Sequence, residues 1–152
     1  MTKSLYIAEK PSVAQEFAKA LKKNWRRGDG YQEADDAIVT WCVGHLVGLC
    51  DASEYDEKYK KWRYEDLPIV PECWKHRVLE GTKKQFGILK KLMRDSKVDE
   101  VICATDAGRE GELVARLILK KAGTDKPLKR LWISSVTDKA IREGFASLKS
   151  GK

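Results

Sequence analysis

Three short, almost unbroken apolar runs, residues 5–8, 101–104 and 131–133, each lead into a segment of helical period, and this alternation constrains the fold more than any other feature of the chain. Runs of that length and purity predict strands buried on both faces of a parallel sheet. After the first run, PSVAQEFAKALKK offers Ser12 as an N-cap with Gln15 three residues on, and Val13, Phe17, Ala18 and Leu21 fall on one helical face. After the second, Leu113, Val114, Leu117 and Ile118 form the apolar stripe and Gly123 supplies the stop. After the third, Thr137 caps a helix whose inner face is Ile141, Phe145 and Leu148. A further helix over 82–94, with Phe86, Leu89, Leu92 and Met93 inward, precedes the second strand. The pattern predicts an α/β fold: a central, mostly parallel sheet flanked by helices, joined by right-handed crossovers.

Two segments depart from that plan. YQEADDAIVTWCVGHLVGL reads as a β-hairpin with Asp35 and Asp36 near its turn, pairing antiparallel at one side of the sheet. Residues 51–74 keep no period, yet thread Tyr55, Tyr59, Trp62, Tyr64 and Trp74 among Lys58, Lys60, Lys61 and Arg63. A long loop so rich in aromatics predicts an ordered surface excursion rather than disorder.

With 152 residues, the chain suits a single domain spanning 1–152. Thirty basic against twenty-three acidic side chains leave a net charge of +7, which favours a polyanionic partner, nucleic acid first. No segment has the apolar length of a signal peptide or a membrane span: residues 5–8 run into Glu9, and 113–119 is broken by Arg116. A cytoplasmic location is therefore expected. The four cysteines lack the spacing of a disulfide scaffold. Two C-x-x-H pairs, Cys42 with His45 and Cys73 with His76, make a conceivable zinc set. Buried thiols and unrelated histidines are the better reading, because Cys42 is also an ordinary strand residue.

Chemistry in open α/β sheets collects at the carboxyl ends of the strands. Glu9 closes the first strand and Asp106 the second, so neighbouring strands would bring both carboxylates to one rim. Glu110, four residues after Asp106, sits in the first turn of the next helix and can return to the same rim. Three carboxylates without thiol or imidazole suit a hard cation, Mg²⁺ first, and Lys10 and Arg109 are positive neighbours for a phosphodiester. The competing reading leaves Glu110 and Glu112 in solvent, complementing the helix dipole. AGREG satisfies neither the P-loop nor the dinucleotide pattern, so no nucleoside triphosphate is expected.

LYIAEKPSVA together with CATDAGREGELVAR resembles the Toprim domain, a Rossmann-like fold shared by type IA and type II topoisomerases, bacterial primases and some nucleases. GDGY, VTWCVGHLVGL, YDEKYKKW, DLPIVPECW and SSVTDKAI are similar to the type IA enzymes of the bacterial topoisomerase III group, and the likeness covers essentially the whole chain. The resemblance implies that Glu9 acts as an acid/base group near the leaving 3′-oxygen and helps bind Mg²⁺. It gives Lys10 the scissile phosphate, Asp106 and Glu110 the metal, and Trp62 single-stranded DNA. An exposed aromatic in a basic loop is also a stacking platform on physical grounds, the other reading of Trp62 being a pin that fixes the loop to the core.

Where the common Toprim pattern is Asp-x-Asp-x-Glu, this chain has glycine at the middle position, Gly108. Ligand count then predicts a single, weaker Mg²⁺ site. The type IA resemblance also implies a nucleophilic tyrosine in a downstream domain of the same polypeptide, and no tyrosine follows Tyr64. A part of a longer enzyme, inactive alone, is the expectation. Other readings are a Toprim nuclease or primase, a signalling receiver phosphorylated on Asp106, and a plain single-stranded-DNA-binding module.

Overall fold

The computed structural model describes residues 2–152, and its fold follows from period-two burial on a sheet covered on both sides. Along β1 (Lys3–Ala8), Leu5 and Ile7 enter one core, while Tyr6 and Ala8 face the other. In β4 (Ala37–Trp41), Ile38 and Val39 divide in the same way. Among the described residues the main sheet has seven strands. Its order is β2 (Arg26–Arg27), β3 (Tyr31–Glu33), β4, β1, β7 (Val98–Ala104), β8 (Leu128–Arg130) and β9 (Lys149–Ser150). The middle four are parallel; β2 and β3 at one edge and β9 at the other are antiparallel.

Helices α2 (Lys83–Arg94) and α3 (Arg109–Ala122) bury Leu89, Met93, Val114 and Ile118 in the first core. Helices α1 (Pro11–Leu21) and α4 (Asp138–Ala146) fill the second with Val13, Phe17 and Ile141. Phe145 ties the latter pair to the sheet, its ring 5.1 Å edge-on from Tyr6 and 5.4 Å from Phe17.

The expected hairpin is present, but only its first arm, β3, has antiparallel neighbours on both sides, with β2 outside it as the edge. Its second arm, β4, pairs parallel with β1 and is an interior strand. Residues 51–74 leave and return through a small separate ladder, β5 (Val47–Leu49) against β6 (His76–Val78), and fold into short 3-10 turns at 52–54, 57–60 and 64–66. Tyr55 fastens the base of this excursion, its hydroxyl accepting from the Lys75 N–H at 2.6 Å.

Three local expectations need correction. Lys10, not Ser12, is the N-cap of α1: Pro11 presets the helical φ, so the helix starts one residue before serine and no side chain caps it. The buried stripe of α3 is Val114, Ala115, Ile118, Leu119 and Ala122; Leu113 lies off it, 46% exposed. The third strand is 128–130 rather than 131–133, and it holds a buried arginine. Leu131 only extends that pairing, its N–H donating to the Cys103 carbonyl. Thr137 does cap α4, accepting from the Ala140 N–H, and Gly123 ends α3 in the left-handed region at φ 67°.

Candidate active site

Three adjacent parallel strands deliver polar side chains to one rim. Ala8 pairs with both Ala104 and Trp41, so the residues after β1, β7 and β4 emerge side by side. These are Glu9, Asp106 and, past a turn through Gly44 at φ +84°, His45. The Asp106 N–H donates to Glu9 Oε2 at 2.7 Å, a direct bond between residues 97 positions apart. The Asp106 side chain is exposed and makes no hydrogen bond within the protein among the described residues.

The turn that presents Asp106 is held tightly from beneath. Buried Thr105 donates its hydroxyl to the Gly111 carbonyl at 2.8 Å. A Cβ at Gly111 would lie 2.1 Å from the Asp106 carbonyl oxygen, so the first turn of α3 fits under Asp106 only with glycine there. Gly108 differs: its φ of 170° is ordinary extended backbone, it is the N-cap of α3, and a Cβ there would meet nothing within 4 Å.

Glu110 stands exposed in the first turn of α3, its Oε2 3.0 Å from His45 Nε2. The structure joins Glu9 to Asp106 and does not group Glu110 with them. Among the described residues no three acidic, histidine or cysteine side chains are close enough together to enclose a metal ion. What remains is a pair of carboxylates at an open rim. Oxygen-only donors of low number fit Mg²⁺, which keeps several waters and takes one or two carboxylates beside a substrate phosphate. The C-x-x-H pairs do not assemble either: Cys42 is fully buried, Cys73 is exposed, and His45 faces Glu110. Burial, with Glu9 nearby, pushes the Cys42 thiol up to about 12, so Cys42 itself is held as the neutral thiol.

Lys10 and Arg109 are exposed, one at the N-cap of α1 and the other opening α3. At Asp106 lies a concavity of about 430 Å³, lined also by Val13, Phe17, Thr105, Ser134 and Ser135. Trp62 and Tyr64 project from the excursion, 83% and 91% exposed, so Trp62 is not a pin for the loop.

Sequence reasoning weighed His45 only as a zinc ligand and missed its place beside the carboxylates; it missed Arg130 altogether. His45 was legible only as the residue following a third strand end, once β4 is known to neighbour β1. Arg130 gave no signal, because a cation inside a strand reads as a surface residue.

A parallel four-strand centre with acidic groups at adjoining strand ends defines a class, and the chain belongs to the Toprim domain family, whose pattern matches residues 4–136. Along all 152 residues it is 58% identical to a DNA topoisomerase 3 of Bacillus cereus and 54% identical to that of Bacillus subtilis. Over 150 residues it is 57% identical to the DNA topoisomerase 3 of Staphylococcus aureus. In each case it spans 21% of the relative's length. Among solved structures it resembles full-length topoisomerase I from Thermotoga maritima, with a TM-score of 0.62 over 96% of this chain and 21% of that one. Identity there is 20%, so this likeness concerns the fold.

Proposed function

We propose that the chain is the cation-binding part of a type IA DNA topoisomerase of the topoisomerase III kind, working on single-stranded DNA with downstream domains of the same polypeptide in the bacterial cytoplasm. The observation that supports this reading is the hydrogen bond from the Asp106 main-chain N–H to the Glu9 carboxylate, which ties two distant strand ends to one rim. Similarity along all 152 residues to about a fifth of DNA topoisomerase 3 supports assigning the chain to that reaction. In that reaction a downstream tyrosine oxygen forms a bond to the scissile phosphorus as the bond to the 3′-oxygen breaks.

Glu9 gives a proton to the departing 3′-oxygen and takes it back when that hydroxyl returns to rejoin the strand. Glu9 and Asp106, and Glu110 if released from His45, would hold Mg²⁺, which when bound would supply positive charge beside the phosphodiester. Lys10 and Arg109 orient the phosphodiester by charge, and Trp62 stacks on an unpaired base.

Titrating the chain with Mn²⁺, read by loss of the free-ion electron paramagnetic resonance signal, tests the site. Saturable binding is expected, abolished by Glu9→Gln or Asp106→Asn. Trp62→Ala should leave it intact while weakening single-stranded DNA binding by about 1–3 kcal/mol. Undiminished Mn²⁺ uptake in the Asp106→Asn chain would sink the proposal, and metal-dependent nicking by the 152 residues alone would favour a Toprim nuclease instead.

A further inference from the structure

Arg130 is 6% exposed, inside β8, in a position where a cation is costly unless it is well hydrogen-bonded. Each of its three guanidinium nitrogens has a partner. Nε donates to Glu112 Oε2 at 2.8 Å, and Nη1 reaches the carbonyls of Cys103, Thr105 and Leu131 at 3.0, 2.7 and 2.9 Å. Nη2 donates to the Asp106 carbonyl at 3.0 Å. The other Glu112 oxygen accepts from Arg116 Nε at 2.8 Å, which orients the counter-ion.

Two of those carbonyls, of Thr105 and Asp106, belong to the turn beyond the end of β7, where no neighbouring strand is left to satisfy them. Asp106 is consequently held from both sides: its N–H by Glu9 and its carbonyl by Arg130. The guanidinium binds only main-chain oxygen there, and the Asp106 carboxylate stays available. Exchanging a buried ion pair for apolar residues is often neutral or stabilising, so stability alone does not account for a planar fork directed at this turn.

We infer that Arg130, with Glu112 as its counter-ion, is a positioning residue that sets the Asp106 turn against Glu9 so that the two carboxylates face one divalent cation. This rests on the reading of Glu9 and Asp106 as a cation site. It also gives Glu112 a role other than metal ligand or dipole partner.

The test uses the chain with Arg130→Lys, which keeps the charge and loses the fork, and the double variant Arg130→Met, Glu112→Leu, which removes the pair together. Mn²⁺ affinity is read by electron paramagnetic resonance, and exchange of the Asp106 amide by nuclear magnetic resonance without metal. Each folded variant should bind Mn²⁺ roughly 10-fold more weakly, the lower end of what losing a supporting group costs a metal site. Each should also exchange the Asp106 amide faster. Folded variants with unaltered Mn²⁺ affinity and amide protection would overturn the inference and leave the cation site standing. Failure of the unaltered chain to take up Mn²⁺ would overturn both. Should neither variant fold, the unaltered chain decides: the Arg130 Nε resonance must shift with Mg²⁺ at the same midpoint as the Asp106 amide, and an unresponsive Arg130 overturns the role.

Discussion

Two glycines three positions apart, Gly108 and Gly111, have opposite reasons for lacking a side chain. At Gly111 an added Cβ would collide with the backbone of Asp106, which cannot yield without moving the rim. Gly111→Ala should therefore destabilise the chain by about 1–3 kcal/mol, the cost of overpacking, and should lower Mn²⁺ affinity as well. A thermal melt and a Mn²⁺ titration check this, and an unchanged melt would mean that the turn is softer than its contacts imply. At Gly108 the space is open and the backbone ordinary. Gly108→Asp should fold normally, gain a few tenths of a kcal/mol as a better N-cap, and bind Mg²⁺ more tightly by adding a carboxylate beside Asp106. Calorimetric titration measures the second effect; equal affinity would show that position 108 does not face the cation.

At the scale of elements, α3 does two things at once. Its buried stripe seals one core, while its first turn carries Glu110 toward His45 and Glu112 toward Arg130. Burial alone would raise the Glu112 pKa, but the hydrogen bonds from Arg116 and Arg130 outweigh it and hold the carboxyl below its ordinary value of 4.5. A depressed folded-state value stabilises the native protein above the ordinary one, and that contribution disappears as pH falls through the lower, folded value. Melting temperature should accordingly drop on acidification below about pH 4.5. Glu112→Gln should flatten that acid limb while melting lower at neutral pH, because it leaves Arg130 without its counter-ion. Melts followed by circular dichroism across this range decide the point. The excursion at 51–74 is a separate element clipped by β5 and β6, with Arg77 bridging Asp51 and Glu54 at its base. Exposed aromatics at its tip thus stand on an ordered support.

For the whole molecule, the decisive feature is a sheet covered on both sides. Cys42 and Cys103 lie under that cover, and desolvation pushes their thiols up to about 12 and about 11. At mildly alkaline pH an alkylating reagent should modify exposed Cys73 quickly and reach Cys42 and Cys103 only at the rate of global unfolding. Mass spectrometry of the labelled peptides reads this directly, and early labelling of Cys103 would reveal local opening of β7. The fold class, the four helices and most of their inward faces were legible in the sequence, because apolar period is a property of neighbouring residues along the chain. Thr137 as a cap and Gly123 as a stop were legible for the same local reason. The strand at 128–130 was not, since its Arg130 is neutralised by Glu112 and by carbonyls from another strand, partners that no local pattern contains. Glu9 and Asp106 were recognisable as strand-end carboxylates, yet their bond, the diversion of Glu110 to His45, and the clamp on the Asp106 turn depend on β4, β1, β7 and β8 lying side by side. Strand order is a long-range choice made by packing both cores at once, and only tertiary structure decides it.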